Sequence, residues 1–132
     1  MQITYQVGTI PPVDDIIEVL ESSGINRPTS DKARIALMYE RADLVVTAWD
    51  GELLVGAARS LTDFCYCCYL SGLAVRKEYQ KQGIGKRMVE ITREQIGEQT
   101  SLILVAAPGA VNYYPKIGMQ KLENGYIIKR TS

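Results

Sequence analysis

Glu78-Tyr79-Gln80-Lys81-Gln82-Gly83-Ile84-Gly85-Lys86-Arg87-Met88 is the stretch on which the reading of this chain turns. It follows the apolar run Tyr69-Leu70-Ser71-Gly72-Leu73-Ala74-Val75 and precedes a helical pattern with Ile84, Met88, Ile91 and Gln95 on one side. The pattern predicts a strand, a glycine turn and a helix. Gly83 and Gly85 permit a close backbone approach that a Cβ would block. The first N–H groups of the following helix lack internal partners and carry the positive end of its dipole, so the stretch has the outline of an anion site, and phosphate oxygens would satisfy those donors.

Spacing narrows the ligand. A Walker A loop needs Gly at the position of Gln80 and Ser or Thr at that of Arg87, and a dinucleotide fingerprint needs a third small residue where Met88 stands. Both fail, which disfavours a nucleotide-phosphate-binding domain. Gln80-Lys81-Gln82-Gly83-Ile84-Gly85 does match Gln/Arg-x-x-Gly-x-Gly/Ala, and in this the chain resembles the GCN5-related N-acetyltransferase (GNAT) family, whose acetyl-CoA pyrophosphate loop has that form. A second stretch, Ala110-Val111-Asn112-Tyr113-Tyr114-Pro115-Lys116-Ile117-Gly118-Met119, is similar to the family's Ala-x-x-Phe-Tyr-x-x-x-Gly-Phe segment, with Tyr113 for the first Phe and Met119 for the second. The resemblance runs from about Leu44 to Lys129 and is only general over the N-terminal third.

The chain has 132 residues, 46% of them apolar, enough for one domain with a sizeable core, expected to span residues 1–132. The 15 basic and 15 acidic residues cancel, which argues against nucleic-acid binding by phosphate neutralisation and favours a small or peptidic substrate. Cys65, Cys67 and Cys68 are too close along one segment to bridge readily and read as buried or half-buried thiols. Without histidine or a Cys-x-x-Cys spacing, no metal is expected. Neither a signal peptide nor a membrane span is expected, and the localisation inferred is cytoplasmic.

The remaining elements follow from periodicity and turn residues. Ile3–Val7 alternates as a strand, Val13 to Glu21 is an amphipathic helix, and Ser30 is placed to cap a helix from Asp31 to Ala42. Asp50-Gly51 marks a two-residue hairpin between Leu44–Trp49 and Leu53–Arg59, and Tyr66 to Val75 adds a third antiparallel strand. Ser71-Gly72 suggests a bulge within it. After the helix from Gly83 to Ile96, Leu102–Ala106 reads as a buried parallel strand, Pro108 to Ile117 as a last helix, and Met119–Leu122 with Tyr126–Lys129 as two short strands. The expected fold is mixed α/β (α+β), GNAT-like, with a central sheet of about six to seven strands and about four helices.

The resemblance implies an acetyl-CoA-dependent N-acetyltransferase acting by direct attack on a primary amine of a small molecule or peptide. It assigns the pyrophosphate to Gln80, Lys81, Gln82, Gly83, Ile84, Gly85, Lys86 and Arg87. The pantetheine arm falls to the strand edge Leu73, Ala74 and Val75, where the Leu73 N–H would also polarise the acetyl carbonyl. Tyr114 takes the place of the general acid. The residues themselves are equally compatible with a plain core strand and with packing tyrosines. The chain departs from the family's pattern in having Ala107 where many members have Asn, and Tyr69 near the position of a Glu base. A water chain is therefore expected to drain the proton. Cys67 and Cys68 lack a His partner that would activate a thiolate. A non-catalytic acyl-CoA-binding module is the alternative; it would keep the glycine loop and lack the acid and base. The resemblance also carries the expectation of a homodimer.

Overall fold

The computed structural model describes residues 2–132. Its elements are β1 (Ile3–Val7), α1 (Val13–Ser23), α2 (Lys32–Glu40), β2 (Leu44–Asp50), β3 (Leu53–Thr62), β4 (Cys67–Val75), α3 (Ile84–Ile96), β5 (Ser101–Ile103) and α4 (Tyr113–Lys116), with short 3-10 turns at Lys77–Tyr79 and Pro108–Ala110. The strands lie in sequence order, β1 to β4 antiparallel and β4 to β5 parallel across the α3 crossover.

Alternation along the strands divides the core between the two faces of the sheet. Leu44, Val46 and Ala48 of β2, with Val55, Ala58, Cys68 and Leu70, pack on Ile84, Met88, Val89, Ile91 and Ile96. On the other face Val45, Leu54, Ala57 and Ala74 pack on Ile16, Val19, Leu20, Ile35 and Tyr39 of α1 and α2. Gly56 allows α3 to come this close, since a Cβ there would lie 2.9 Å from Met88 Cε and 3.3 Å from the Ala74 carbonyl oxygen.

Local chemistry explains most of the boundaries. α1 ends at Gly24, left-handed at φ 82°, and α3 at Gly97. The β2–β3 hairpin turns on Gly51-Glu52, one residue beyond the expected Asp50-Gly51: Asp50 pairs with Leu53, and Gly51 at φ 61° takes the first central position, as a two-residue turn of the II′ kind requires. Asp31 rather than Ser30 caps α2, its carboxylate accepting the Arg34 N–H at 3.1 Å. Between β3 and β4 the Asp63 carboxylate accepts the N–H groups of Cys65, Tyr66 and Cys67 at 2.8 to 3.1 Å.

The mixed α/β architecture is as expected, but the described sheet has five strands, not six to seven. β5 stops at Ile103, and neither Met119–Leu122 nor Tyr126–Lys129 enters a ladder. Tyr126 and Ile128 are 98% and 99% exposed, so their β-propensity has no face to pack on. The last helix is four residues long rather than reaching from Pro108 to Ile117. Pro115 accounts for this, because its ring is tolerated in a first turn and costs about 3 kcal/mol in a helix interior. Cys65 and Cys67 are exposed rather than buried, since they lie in and beside the Asp63 turn; Cys68 alone points into the core.

Candidate active site

A cleft of about 1170 Å³ opens where β4 and β5 part. The two strands pair only through Cys67–Tyr69 and Ser101–Ile103, which leaves the edge of β4 from Leu70 to Val75 without a neighbour on that side. In the register with β3, Arg59 faces Gly72 and Ser60 faces Leu70, so Ser71 is the extra residue of a bulge at the expected place.

The direction of the edge groups follows from alternation. The Arg76 N–H donates to the Val55 carbonyl on β3 at 2.8 Å, so the main-chain groups of Val75 and Leu73 point away from β3, into the cleft. Gln80 Nε2 donates to the Val75 carbonyl at 2.9 Å on that side. Leu73 therefore presents a free N–H and carbonyl to the cleft, whereas the Val75 carbonyl is already partnered. Ala74 is buried against the α1–α2 layer.

The glycine loop forms the next wall. Lys81 at φ 66° and Gly83 at φ 84° are both left-handed, which turns successive N–H groups to one side as an anion-binding nest does. The first helical bond of α3 runs from the Arg87 N–H to the Gly83 carbonyl at 2.9 Å, and Gly83 supplies no side-chain cap. The N–H groups of Ile84, Gly85 and Lys86 are accordingly without helical acceptors. A Cβ at Gly85 would stand 3.2 Å from the Tyr113 hydroxyl and 3.8 and 3.9 Å from Val75 and Leu73 side-chain atoms, so the absent side chain is what keeps this corner of the cleft open.

Not all of the expected residues turn their side chains to the cleft. Gly83, Gly85, Lys81 and Lys86 line it, and Gln80 does so while bracing the loop against β4. The Ile84 side chain is buried in the core under α3. Gln82 directs its amide back to the Glu78 carbonyl at 3.4 Å. Arg87 lies on the opposite side of α3, ion-paired with Glu94 at 3.2 Å and Glu90 at 3.6 Å.

Tyr113 and Tyr114 close the cleft from α4, their rings edge to face with centroids 5.1 Å apart. Burial raises the Tyr114 hydroxyl above the ordinary tyrosine range, the neighbouring Tyr113 adds to this, and Arg27 opposes it. Tyr114 thus stays protonated through the neutral range and can donate a hydrogen bond to a developing anion. No Asp or Glu lines the cleft among the described residues, and Tyr69 stands on the β4 wall instead.

Two residues that the sequence did not single out complete the β4 wall. Arg59 of β3 is only 8% exposed, donates from Nη2 to Ser71 Oγ at 2.8 Å, and sits over the Tyr39 ring at 5.9 Å. Arg27, from the α1–α2 loop, donates from Nη2 to the Ser71 carbonyl and lies across Gly72. A signal for Arg59 was available: it is the one charged residue of β3, directly after the apolar run Leu53 to Ala58.

An open edge on a bulged strand, a parallel neighbour that splays from it, a glycine-lined helix entry and a facing tyrosine together define the GNAT type of acetyltransferase fold. The chain belongs to that family: the family model for the acetyltransferase (GNAT) domain matches residues 15–127. Among solved structures, a probable acetyltransferase from methicillin-resistant Staphylococcus aureus superposes with a TM-score of 0.83 at 24% identity, covering 98% of this chain and 100% of that one. A GNAT-family acetyltransferase from Streptococcus pneumoniae TIGR4 gives 0.74 at 21% identity, covering 99% and 100%. An aminoglycoside N-acetyltransferase in complex with CoA gives 0.74 at 11% identity, covering 99% and 96%. At these identities the likeness speaks for the fold. A comparison with curated protein sequences gives no match.

Proposed function

We propose that the protein transfers an acetyl group from acetyl-CoA to a primary amine by direct attack. The observation that carries this reading is the open β4 edge, with the Leu73 N–H, the nest at Lys81 to Lys86 and Tyr114 bordering one cleft. The residues suit the cofactor: the N–H groups of Gly83, Ile84, Gly85 and Lys86 can donate to pyrophosphate oxygens, Lys81 and Lys86 add charge, and the Leu73 edge pairs with an extended amide chain as another strand would. Acetyl-CoA supplies the activated thioester.

The chain's own residues meet the remaining needs. The Leu73 N–H stabilises negative charge on the carbonyl oxygen as the amine nitrogen bonds to the carbonyl carbon and the carbon–sulfur bond breaks. Tyr114 gives its proton to the departing sulfur and is reprotonated from water, while the proton lost by the amine passes to water. With no carboxylate on the cleft wall, the positive side chains themselves favour the neutral form of the incoming amine.

The test is a calorimetric titration with acetyl-CoA, with ATP and NAD as controls, followed by thiol release against a panel of amines. Selective acetyl-CoA binding with turnover supports the proposal. Binding without turnover of any amine would mark a non-catalytic acyl-CoA-binding module, and no binding would overturn the reading of the glycine loop.

A further inference from the structure

The cleft is bordered by six cationic side chains, Arg27, Arg34, Arg59, Arg130, Lys81 and Lys86, and by no carboxylate among the described residues. The pyrophosphate reading accounts for the two lysines, which sit on the glycine loop. Arg27 and Arg59 are elsewhere: both reach Ser71, one from the α1–α2 loop and one from β3, two residues before the Leu73 edge. None of the four arginines has a carboxylate within ion-pair distance among the described residues. Arg59 is the most telling, because it is buried to 8% exposure and its contacts are a serine hydroxyl and the face of Tyr39. A guanidinium carries five donors; Nε and Nη1 of Arg59 have no protein acceptor, yet Ser60 Oγ is the one fully buried side-chain polar atom without a partner among the described residues, so these Arg59 donors retain some exposure for a ligand to meet. Ser71 Oγ accepts one of these hydrogen bonds and the Tyr39 ring accepts none in the plane of the fork.

Resting on the acetyltransferase reading above, we infer that the acceptor amine carries a carboxylate or equivalent anionic group, which Arg59 and Arg27 receive beside Ser71. The bulge supports this placement. It puts Ser71 and Gly72 on the same face of β4, where the Arg27 guanidinium lies within van der Waals reach of Gly72. Arg27 also donates from Nη1 to the Asn26 carbonyl at 2.8 Å, so it contributes its charge while Arg59 contributes the unpartnered donors that receive a planar anion, next to the Leu73 edge. The same charge repels polycationic amines, whose recognition needs carboxylates that this cleft lacks.

The experiment measures kcat/KM by thiol release for three series: L-amino acids and dipeptides with free carboxylates, the same compounds as C-terminal amides, and linear polyamines. Acetyl-CoA affinity is measured alongside by calorimetry. The expected result is a preference for each free acid over its amide of about tenfold or more, the worth of one charge-assisted hydrogen bond. Arg59→Gln abolishes the preference and Arg59→Lys restores part of it, with acetyl-CoA affinity unchanged. Should Arg59→Gln fail to fold, Arg27→Gln at the half-buried loop position reduces the same ratio. Equal turnover of acids and amides, a preference for polyamines, or no turnover of any acid, each with acetyl-CoA binding intact, overturns the assignment. Loss of acetyl-CoA binding in the unaltered protein instead overturns the transferase reading beneath it.

Discussion

Gly85→Val is the substitution that separates the cofactor reading from a merely structural glycine turn. Gly85 is in the first turn of α3 and does not have the left-handed φ of Gly83, so a side chain there strains no backbone. Helix propensity makes Val about 0.3 to 0.6 kcal/mol better than Gly, and the thermal midpoint should stay within a few degrees. The added Cβ meets the Tyr113 hydroxyl at 3.2 Å and ordinary contacts at 3.8 and 3.9 Å, which the tyrosine ring can relieve by a few tenths of an ångström. Its two further methyl groups extend into the cleft itself. They would hold a pyrophosphate away from the N–H groups of Gly85 and Lys86, removing one or two charge-assisted hydrogen bonds of about 1.5 to 3 kcal/mol each. Calorimetry should therefore show an acetyl-CoA Kd raised by about 100-fold, with an unchanged circular dichroism spectrum. A Kd within threefold of the parent in a folded variant refutes the reasoning and puts the phosphates elsewhere. Gly83 is the poorer probe, because its φ of 84° makes any side chain costly on its own.

Tyr114→Phe should lower kcat by about 100-fold while acetyl-CoA affinity stays the same, as loss of a proton donor does; an unchanged kcat with a good acceptor assigns that role to water. Asp63 carries a pKa of about 2, set first by the backbone N–H groups of Cys65, Tyr66 and Cys67. Because this lies below the unfolded value of about 3.9, its contribution to stability is fully present above pH 4 and is lost as pH falls toward 2. The difference in thermal midpoint between the parent and Asp63→Ala should accordingly be constant near neutrality and shrink across that window; a pH-independent difference excludes the carboxylate as the cause. Met88→Ala, at a fully buried position against Gly56, should cost about 2 to 5 kcal/mol in denaturant unfolding, and a loss under 1 kcal/mol would show that α3 repacks onto the sheet.

What could be read from the sequence was whatever is decided within a few residues. The Gly83 entry and Gly97 exit of α3, the apolar face between them and the Asp50-Gly51 region of the hairpin all announce themselves through local dihedral needs, and they differ from the structure by a residue at most. The Ser71 bulge was legible for the same reason, an interior Ser-Gly in a strand. Met119–Leu122 and Tyr126–Lys129 were misread because alternation reports a preference for a pleated, half-covered surface, and these segments have none to cover them. Arg27, Arg59 and Tyr39 went unnoticed because they are brought together from a loop, a strand and a helix, and nothing local foretells that convergence. Of the loop residues assigned to the cofactor, Arg87 was indistinguishable from Lys86 by spacing alone, yet one position along a helix turns a side chain by about 100°. That rotation is enough to send Arg87 to Glu90 and Glu94 instead of the cleft.

The missing base and the surplus of positive charge are two aspects of one arrangement. An amine must lose a proton to attack, and a carboxylate on the cleft wall would both accept that proton and stabilise the ammonium form that must be discharged. Here the wall carries Tyr69 instead and is bordered by arginines, an environment that disfavours an ammonium ion, and in the proposed reaction water takes its proton. Such an arrangement attracts an amine more weakly, a loss that the proposed anionic acceptor would offset at Arg59 and Arg27. Ser71 connects the two halves: the extra residue of the bulge, just beyond the last β5 pair, also supplies the hydroxyl and carbonyl on which both guanidinium groups are anchored. In the proposed reaction carbonyl polarisation and acceptor selection would both depend on this bulge, and a substitution that straightened β4 at this point would disturb both together.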